Sequence, residues 1–153
     1  VKIQKINFYR LRKTSNMVQK TYTQCLKENW GFIPLSQEES LAFCKFLAKF
    51  GDPDLQLQVL VDSRPAGILL CTPLPAPTRA VRIAILGIVP EFRRRGLEAL
   101  LLEKLFQTME QKDYQEADIS QIHEDNQAML SLLGKLLPVQ ADRRFRVYQQ
   151  KLD

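Results

Sequence analysis

The chain has 153 residues, of which 45% are hydrophobic and 25% are charged, and its net charge is +5. These values are typical of a globular protein with one core, so we predict a single domain over residues 1–153. No apolar run approaches the roughly 20 residues of a membrane-spanning helix and no signal peptide is recognisable, so we expect a cytoplasmic location and no membrane partner.

The three cysteines, Cys25, Cys44 and Cys71, lie far apart in the sequence, each among apolar neighbours. We therefore expect reduced thiols in the core rather than disulfides. His123 is the only histidine, and a zinc site needs more closely spaced ligands, so no metal site is expected. The first residue is Val1 rather than Met, and we expect it to mark a cut or processed start.

The hydrophobic periodicity of the first half predicts a strand, two helices and a hairpin. Thr14, Ser15 and Asn16 are typical N-cap residues and are expected to begin the first helix. Ser36 and Glu39 form a capping box at the start of the second helix. The predicted elements are a strand over residues 2–9, a helix over 16–28, a helix from Ser36 to Gly51, and a hairpin of strands 56–61 and 66–71 around a turn at residues 62–65, Asp-Ser-Arg-Pro.

The second half predicts alternating strands and helices after a proline-rich connector at residues 73–77. The predicted elements are a strand over residues 80–89, a helix over 97–111, a strand over 117–122, a helix over 124–137 and a strand over 144–152. The hairpin is antiparallel, whereas the strand–helix–strand crossover after residue 80 is parallel. The fold class is therefore α/β with a mixed sheet.

A short basic loop leads from the apolar strand over residues 80–89 into the following helix. A helix N-terminus leaves about four backbone N–H groups unpaired and carries partial positive charge. Gly96 would let a phosphate approach those donors, and Arg93, Arg94 and Arg95 would add charge beside it. The pattern indicates a pyrophosphate-binding loop. The alternative is a solvated arginine turn in which Gly96 only fits a tight bend.

Residues 89–99, Val-Pro-Glu-Phe-Arg-Arg-Arg-Gly-Leu-Glu-Ala, resemble motif A of the GNAT superfamily of acyl-CoA N-acyltransferases, Gln/Arg-x-x-Gly-x-Gly/Ala. Arg93 matches the first position and Gly96 the glycine, whereas Glu98 departs from the final small residue. The resemblance covers nearly the whole chain, because the predicted order of elements is similar to that of the superfamily. Residues 29–34, Asn-Trp-Gly-Phe-Ile-Pro, resemble a bacterial subgroup in which this domain often forms the C-terminal part of a longer chain.

The resemblance implies a GNAT-like acyltransferase fold in three α/β/α layers, with about four helices around the mixed sheet. It also implies acetyl-CoA or another acyl-CoA as cofactor. Loop amides would hold the CoA pyrophosphate, the strand edge would pair with the pantetheine amides, and Asn126 would contact the pantetheine arm. The implied cofactor-binding residues are Leu86, Gly87, Ile88, Val89, Arg93, Arg94, Arg95, Gly96, Leu97, Glu98 and Asn126.

In the reaction that the resemblance implies, an amine acceptor attacks the thioester directly, so the chain must supply a base, an oxyanion donor and an acid. The N–H of Ile88 is the candidate oxyanion donor. Glu124 is the candidate base, with His123 behind it, and Tyr148 is the candidate acid. Many family members use a tyrosine on the last helix as acid, but here Leu133 holds that position.

Each candidate side chain also has a simpler interpretation. Glu124 would cap a helix, His123 would lie exposed in a loop, and Tyr148 would be a half-buried strand aromatic. Trp30 and Phe32 would line the acceptor pocket, or else pack between the first two helices.

Three functional hypotheses follow, and the leading one is an N-acyltransferase that acts on a small-molecule or protein amine as a monomer or homodimer. The second is a non-catalytic domain that binds CoA or another partner, suggested by Glu98 and the missing tyrosine. The third is nucleic-acid binding through the arginines at residues 93–95 and 143–146. It lacks interleaved aromatic residues or a recognisable module, so we expect no nucleic-acid partner.

Overall fold

The computed structural model describes residues 1–29, 31–75, 79–119 and 121–136, apart from the side chain of Leu136. The chain divides into two compact units, Val1–His123 and a second that begins at Glu124. The elements of the first unit are β1 (Lys2–Lys5), α1 (Leu11–Leu26), α2 (Gln37–Phe50), β2 (Leu57–Val61), β3 (Arg64–Pro73), β4 (Ala80–Ile88), α3 (Leu97–Gln111) and β5 (Glu116–Asp118). The second unit contributes α4 (Gln127–Leu136).

The five strands form one mixed sheet in the order β1-β2-β3-β4-β5. The pairs from β1 to β4 are antiparallel, and β4 pairs with β5 in parallel. Helices α1 and α2 pack against each other and on β3, whereas α3 packs on β2, β3 and β4 from the other face. This arrangement confirms the predicted mixed sheet and the three α/β/α layers.

The core between the sheet and the first two helices follows the strand alternation. Ile68, Leu70 and Ile85 point to this face, where they meet Val18 of α1 and Leu47 of α2. Each is at most 9% exposed, and burying one such side chain contributes about 1.5–3 kcal/mol. The sheet that carries β4 is therefore fixed against α1 by close apolar packing.

Local sequence signals fix two of the boundaries. Ser36 and Glu39 form the predicted capping box: the Ser36 N–H donates to Glu39 Oε2 at 2.8 Å, and the Glu39 N–H donates to Ser36 Oγ at 3.1 Å. The turn of the predicted hairpin is shorter than predicted, because β3 begins at Arg64 and only Asp62 and Ser63 form the turn. Their positive φ angles of 48° and 63° match a type I′ turn.

The predicted start of the first helix is wrong. The first strand ends at Lys5 rather than residue 9, and α1 begins at Leu11, before the expected caps. Thr14 and Ser15 lie buried inside α1, where their hydroxyls donate to the backbone oxygens of Asn7 (2.6 Å) and Arg12 (3.0 Å). Hydroxyls bonded to nearby carbonyls can be buried within a helix, and the sequence pattern does not distinguish this use from a cap.

Two later boundaries also differ from their predictions. Strand β5 ends at Asp118 rather than residue 122, and α4 begins at Gln127 rather than residue 124. The last predicted strand, over residues 144–152, lies outside the described residues. Cys25, Cys44 and Cys71 are buried with free thiols. Within the described ranges, no helix has the length and apolarity that crossing a membrane requires, and no cluster of metal-ligating side chains occurs.

Candidate functional site

Strand β4, next to β5 in the sheet, is paired along only part of one edge. Strand β5 pairs with Ala80, Val81 and Arg82, and the Arg82 guanidinium binds Asp118 at the last of these positions, with Nε–Oδ2 at 2.9 Å. Beyond this point β4 continues to Ile88, and no described strand pairs with residues 83–88 on that side. The two strands therefore part and leave an open edge on β4.

A β-bulge coincides with the point where the strands part. Leu70 of β3 pairs with Ile85, but the next residue, Cys71, pairs with Ile83, so Ala84 is the extra residue. A bulge bends its strand and redirects the side chains beyond it. Beyond the bulge, Ile85 lies in the core that α1 and α2 form with the sheet.

The backbone of the open edge presents donors and acceptors to an incoming chain. The Val89 N–H donates to the Ala66 oxygen at 2.8 Å, so the backbone N–H of residue 89 points to β3. Successive residues of an antiparallel strand alternate in direction, so Gly87 also faces β3, whereas the N–H and C=O groups of Leu86 and Ile88 point to the open edge. An extended ligand with amide groups could pair there as an added strand.

The loop after β4 leads directly into the N-terminus of α3. Gly96 has φ 73° and stands just before the first helical residue, Leu97. The Leu100 N–H donates to the Gly96 oxygen, so the N–H groups of Leu97, Glu98 and Ala99 precede the first bond of the helix ladder. A Cβ added at Gly96 would meet no atom within 4 Å, which leaves space for an anion beside these donors.

The arginine side chains of this loop have different surroundings. Arg93 turns back onto the protein and donates to the Cys25 oxygen at 2.8 Å and the Ile88 oxygen at 3.2 Å. The Arg95 guanidinium lies 5.5 Å from the centre of the Phe92 ring, with a geometry typical of a cation–π contact. Arg94 is exposed and has φ 62°. The cluster is thus not a uniform solvated turn.

Helix α1 approaches β4 at Gly87. A Cβ added at Gly87 would lie 2.7 Å from Cys25 Cβ, a separation that real contacts do not show. Burial raises the pKa of the Cys25 thiol to about 12, so the side chain stays protonated at neutral pH. Cys25 therefore serves as a small packing residue at the end of the site and not as a thiolate nucleophile.

The predicted cofactor residues on β4, the loop and α3 lie on one continuous segment. Asn126 belongs to the second unit, where its Oδ1 accepts a hydrogen bond from the Met129 N–H at 3.2 Å and caps α4. Glu124 is exposed, and its backbone oxygen accepts a bond from Gln127 Nε2 at 2.8 Å. His123 is exposed at the end of the first unit.

The candidate acceptor residue Phe32 packs on α1. Its ring centre lies 5.5 Å from that of Tyr22, whose hydroxyl donates to the Ile33 oxygen at 3.0 Å. These contacts attach the segment between α1 and α2 to the side of α1. The other acceptor candidate, Trp30, and the candidate acid, Tyr148, lie outside the described residues.

Sequence reasoning missed three features of the site. These are the bulge at Ala84, the contact of Arg93 with the Cys25 carbonyl, and a second arginine, Arg64, whose guanidinium lies 5.3 Å from the centre of the Phe92 ring. Each depends on residues brought together from distant parts of the chain. The only local signal was a glycine, Gly87, inside an otherwise apolar strand.

Residues 16–137 match the family model described as Acetyltransferase (GNAT) family. A search among curated proteins finds no similar sequence. An N-acetyltransferase from Staphylococcus aureus Mu50 has a similar structure, with a TM-score of 0.71, 17% identity, and coverage of 88% of this chain and 80% of that chain.

Two further solved structures are similar to this chain. An aminoglycoside acetyltransferase from an uncultured soil metagenomic sample, in complex with sisomicin, has a TM-score of 0.69 and 16% identity, and the match covers 98% and 96% of the two chains. A PaiA N-acetyltransferase from Thermoplasma acidophilum, in complex with coenzyme A, has a TM-score of 0.68 and 17% identity, with 88% and 86% covered. At these identities the similarity establishes a shared fold.

Proposed function

The chain belongs to the GNAT acetyltransferase family, and on that premise we propose that it transfers an acetyl or other acyl group from acyl-CoA to a primary amine. The observation that carries the proposal is two sets of backbone N–H groups that have no backbone partner within the described part of the chain: those of Leu86 and Ile88 on the open edge of β4, and those of the first residues of α3. The edge ends at Ile88, and the helix donors begin at Leu97, after the Gly96 turn.

The two sets of backbone groups match two chemical parts of CoA, the pantetheine arm and the diphosphate. The pantetheine arm contains amides, which suit the outward N–H and C=O groups of Leu86, as in strand addition, and this leaves the Ile88 N–H for the thioester at the end of the arm. The diphosphate is an anion, which suits the N–H groups and partial positive charge at the start of α3. Arg94 and Arg95 add positive charge next to the same helix end.

Bound acyl-CoA supplies the activated thioester, and the chain supplies the groups around it. The N–H of Ile88, at the end of the open edge, would donate to the thioester oxygen as negative charge develops there. Glu124, supported by His123, would take the proton from the attacking amine. As the carbon–nitrogen bond forms and the carbon–sulfur bond breaks, Tyr148 would return a proton to sulfur.

A second function, CoA binding without catalysis, has two observations in its favour. At position 133, many members of the superfamily carry the tyrosine that acts as the general acid. In this chain the residue is a leucine that is only 4% exposed. In addition, Glu98 places a carboxylate in the first turn of α3, where the motif has a small residue. A scaffold that binds but does not turn over the thioester would tolerate both changes.

Calorimetry with CoA and a thiol-release assay with acetyl-CoA separate these functions. We expect CoA to bind with a micromolar dissociation constant, and acetyl-CoA to release free thiol only when a suitable amine is present. Binding without turnover for any member of a broad amine panel would favour the non-catalytic function. No heat of binding at millimolar CoA would contradict both.

A further inference from the structure

We propose that Arg93 is a positioning residue of this site, one that fixes the end of α1 against the open edge of β4 instead of binding phosphate. The inference rests on the proposed function, because the edge it fixes is the one assigned to the pantetheine arm. It differs from the expectation that all three loop arginines add charge around the diphosphate.

The contacts of Arg93 connect two elements that are far apart in sequence. One terminal nitrogen donates to the Cys25 oxygen at 2.8 Å, in the last turn of α1. Its Nε donates to the Ile88 oxygen at 3.2 Å, at the last residue of β4. A third donor faces Glu28 at 3.4 Å. The planar, fork-shaped guanidinium is suited to this bridging, whereas a lysine ammonium is a single point charge.

The Cys25 contact complements the end of α1. The last carbonyls of a helix have no intrahelical partner and carry partial negative charge, so a cation there is favourable. The neighbouring N–H groups of Lys27 and Asn29 donate to Thr23 and Leu26. Arg93 thereby provides a hydrogen-bond donor for a carbonyl at the end of α1. This end of the helix contacts Gly87 and is followed by the segment that contains Phe32.

The Ile88 contact sets the end of the open edge. The C=O and N–H of one strand residue point in the same direction, so the Ile88 oxygen lies on the edge that faces away from β3. Arg93 takes one of the two hydrogen bonds that this oxygen can accept, and its guanidinium lies on the same side of the strand. We therefore expect a ligand chain that pairs along β4 to end its pairing at the Ile88 N–H, with its reactive end beside the C-terminus of α1.

This role predicts which ligands respond to a change at Arg93. Because Arg93 donates to two protein carbonyls, its removal would change the shape of the β4 edge. We assign that edge to the pantetheine arm, and free pantetheine does not contain the diphosphate. The effect of removing Arg93 should thus be the same for CoA and for pantetheine alone. An arginine that binds the diphosphate would affect CoA only.

Binding of CoA and of pantetheine, followed by NMR titration of the Leu86 and Ile88 amide signals, tests this inference on Arg93→Met and Arg93→Lys. We expect both variants to bind both ligands about tenfold more weakly than wild type, as loss of a charge-assisted hydrogen bond predicts. The matched control is Arg94→Met, on the same loop, which should weaken CoA and leave pantetheine unchanged.

Two results would overturn the inference. One is an Arg93→Met variant that loses affinity for CoA but keeps it for pantetheine, which is the behaviour of a phosphate ligand. The other is an Arg93→Lys variant with wild-type affinity for both, since charge alone would then suffice. A variant that is only less stable would have a lower melting temperature. At temperatures well below that melting temperature it would still be folded and would bind both ligands like wild type.

Hydrogen exchange of the ligand-free protein separates this inference from the proposed function. The amides of Lys27 and Asn29 should exchange faster in Arg93→Met than in wild type or Arg94→Met. If the wild-type protein binds neither CoA nor pantetheine, the proposed function is wrong. The exchange rates of the Lys27 and Asn29 amides still decide whether Arg93 holds α1 on β4. Unchanged exchange at both amides would show that it does not.

Discussion

At the scale of single residues, two glycines serve the candidate site for opposite physical reasons. Gly87 is required by space, because α1 lies so close that a Cβ would be 2.7 Å from Cys25 Cβ. Gly96 is required by its backbone conformation, since φ 73° is unfavourable for residues with a side chain, although a Cβ there would meet no atom within 4 Å. The first sets the position of a helix, and the second leaves room for a ligand.

The difference makes Gly87→Ala a test of the packing between α1 and β4. We expect this substitution to destabilise the protein by about 1–3 kcal/mol, because α1 or β4 must shift to admit one methyl group. Urea denaturation followed by circular dichroism measures the change. Gly134→Ala is the control, because its helical site on α4 is open, and it should leave stability equal or slightly raised. A Gly87→Ala variant as stable as wild type would refute the close approach.

At the scale of elements, a group of charged side chains joins three segments away from the site. Lys112, just after α3, binds Asp52 Oδ1 at 2.7 Å and Asp54 Oδ2 at 2.6 Å in the turn before β2. Lys5 of β1 also binds Asp54, and the Tyr114 hydroxyl donates to Asp52 at 3.1 Å. The network holds the end of α3 and the first strand to the same turn.

The network gives the protein an acid-sensitive contribution to stability. Hydrogen bonds from Lys112 and Lys5 lower the pKa of Asp54 to about 2. A carboxyl with a lowered pKa in the folded state stabilises it above its ordinary pKa, near 4, and loses that contribution as pH falls towards about 2. The unfolding free energy of wild type should therefore fall more steeply than that of Asp54→Asn between about pH 4 and pH 2.

Urea titrations at pH 5, 4, 3 and 2 measure this difference. The gap between wild type and Asp54→Asn should narrow as pH falls. The control is Glu110→Gln, an exposed position on α3 outside the network, which should follow the wild-type slope. If the gap between wild type and Asp54→Asn stays constant with pH, the network does not contribute as described.

At the scale of the whole molecule, the order of elements was predictable because hydrophobic periodicity records which faces are buried. The capping box at Ser36 and the presence of a hairpin turn after Val61 were predictable because they use only neighbouring residues. The start of α1 was not, since Thr14 and Ser15 have side chains typical of a helix cap but their hydroxyls donate to the nearby carbonyls of Asn7 and Arg12 from within the helix.

The candidate site was predictable to the same extent and for the same reason. The segment from β4 to α3 is local, so its glycine and its helix start could be read from the sequence. The orientation of Arg93 could not, because its partner Cys25 is 68 residues away. The bulge at Ala84 could not be predicted either, because it depends on the register between β4 and β3, which no pattern within β4 reveals.

Calorimetry of CoA with Gly96→Asp and Gly31→Asp tests most directly whether the N-terminus of α3 binds a diphosphate. The two glycines have φ 73° and 69°, and a Cβ added at either meets no atom within 4 Å, so the variants carry matched backbone strain and charge. We expect Gly96→Asp to weaken CoA binding by at least about a hundredfold through repulsion of the phosphates, and Gly31→Asp to bind like wild type. Equal CoA affinities for the two variants would contradict a diphosphate site at Gly96.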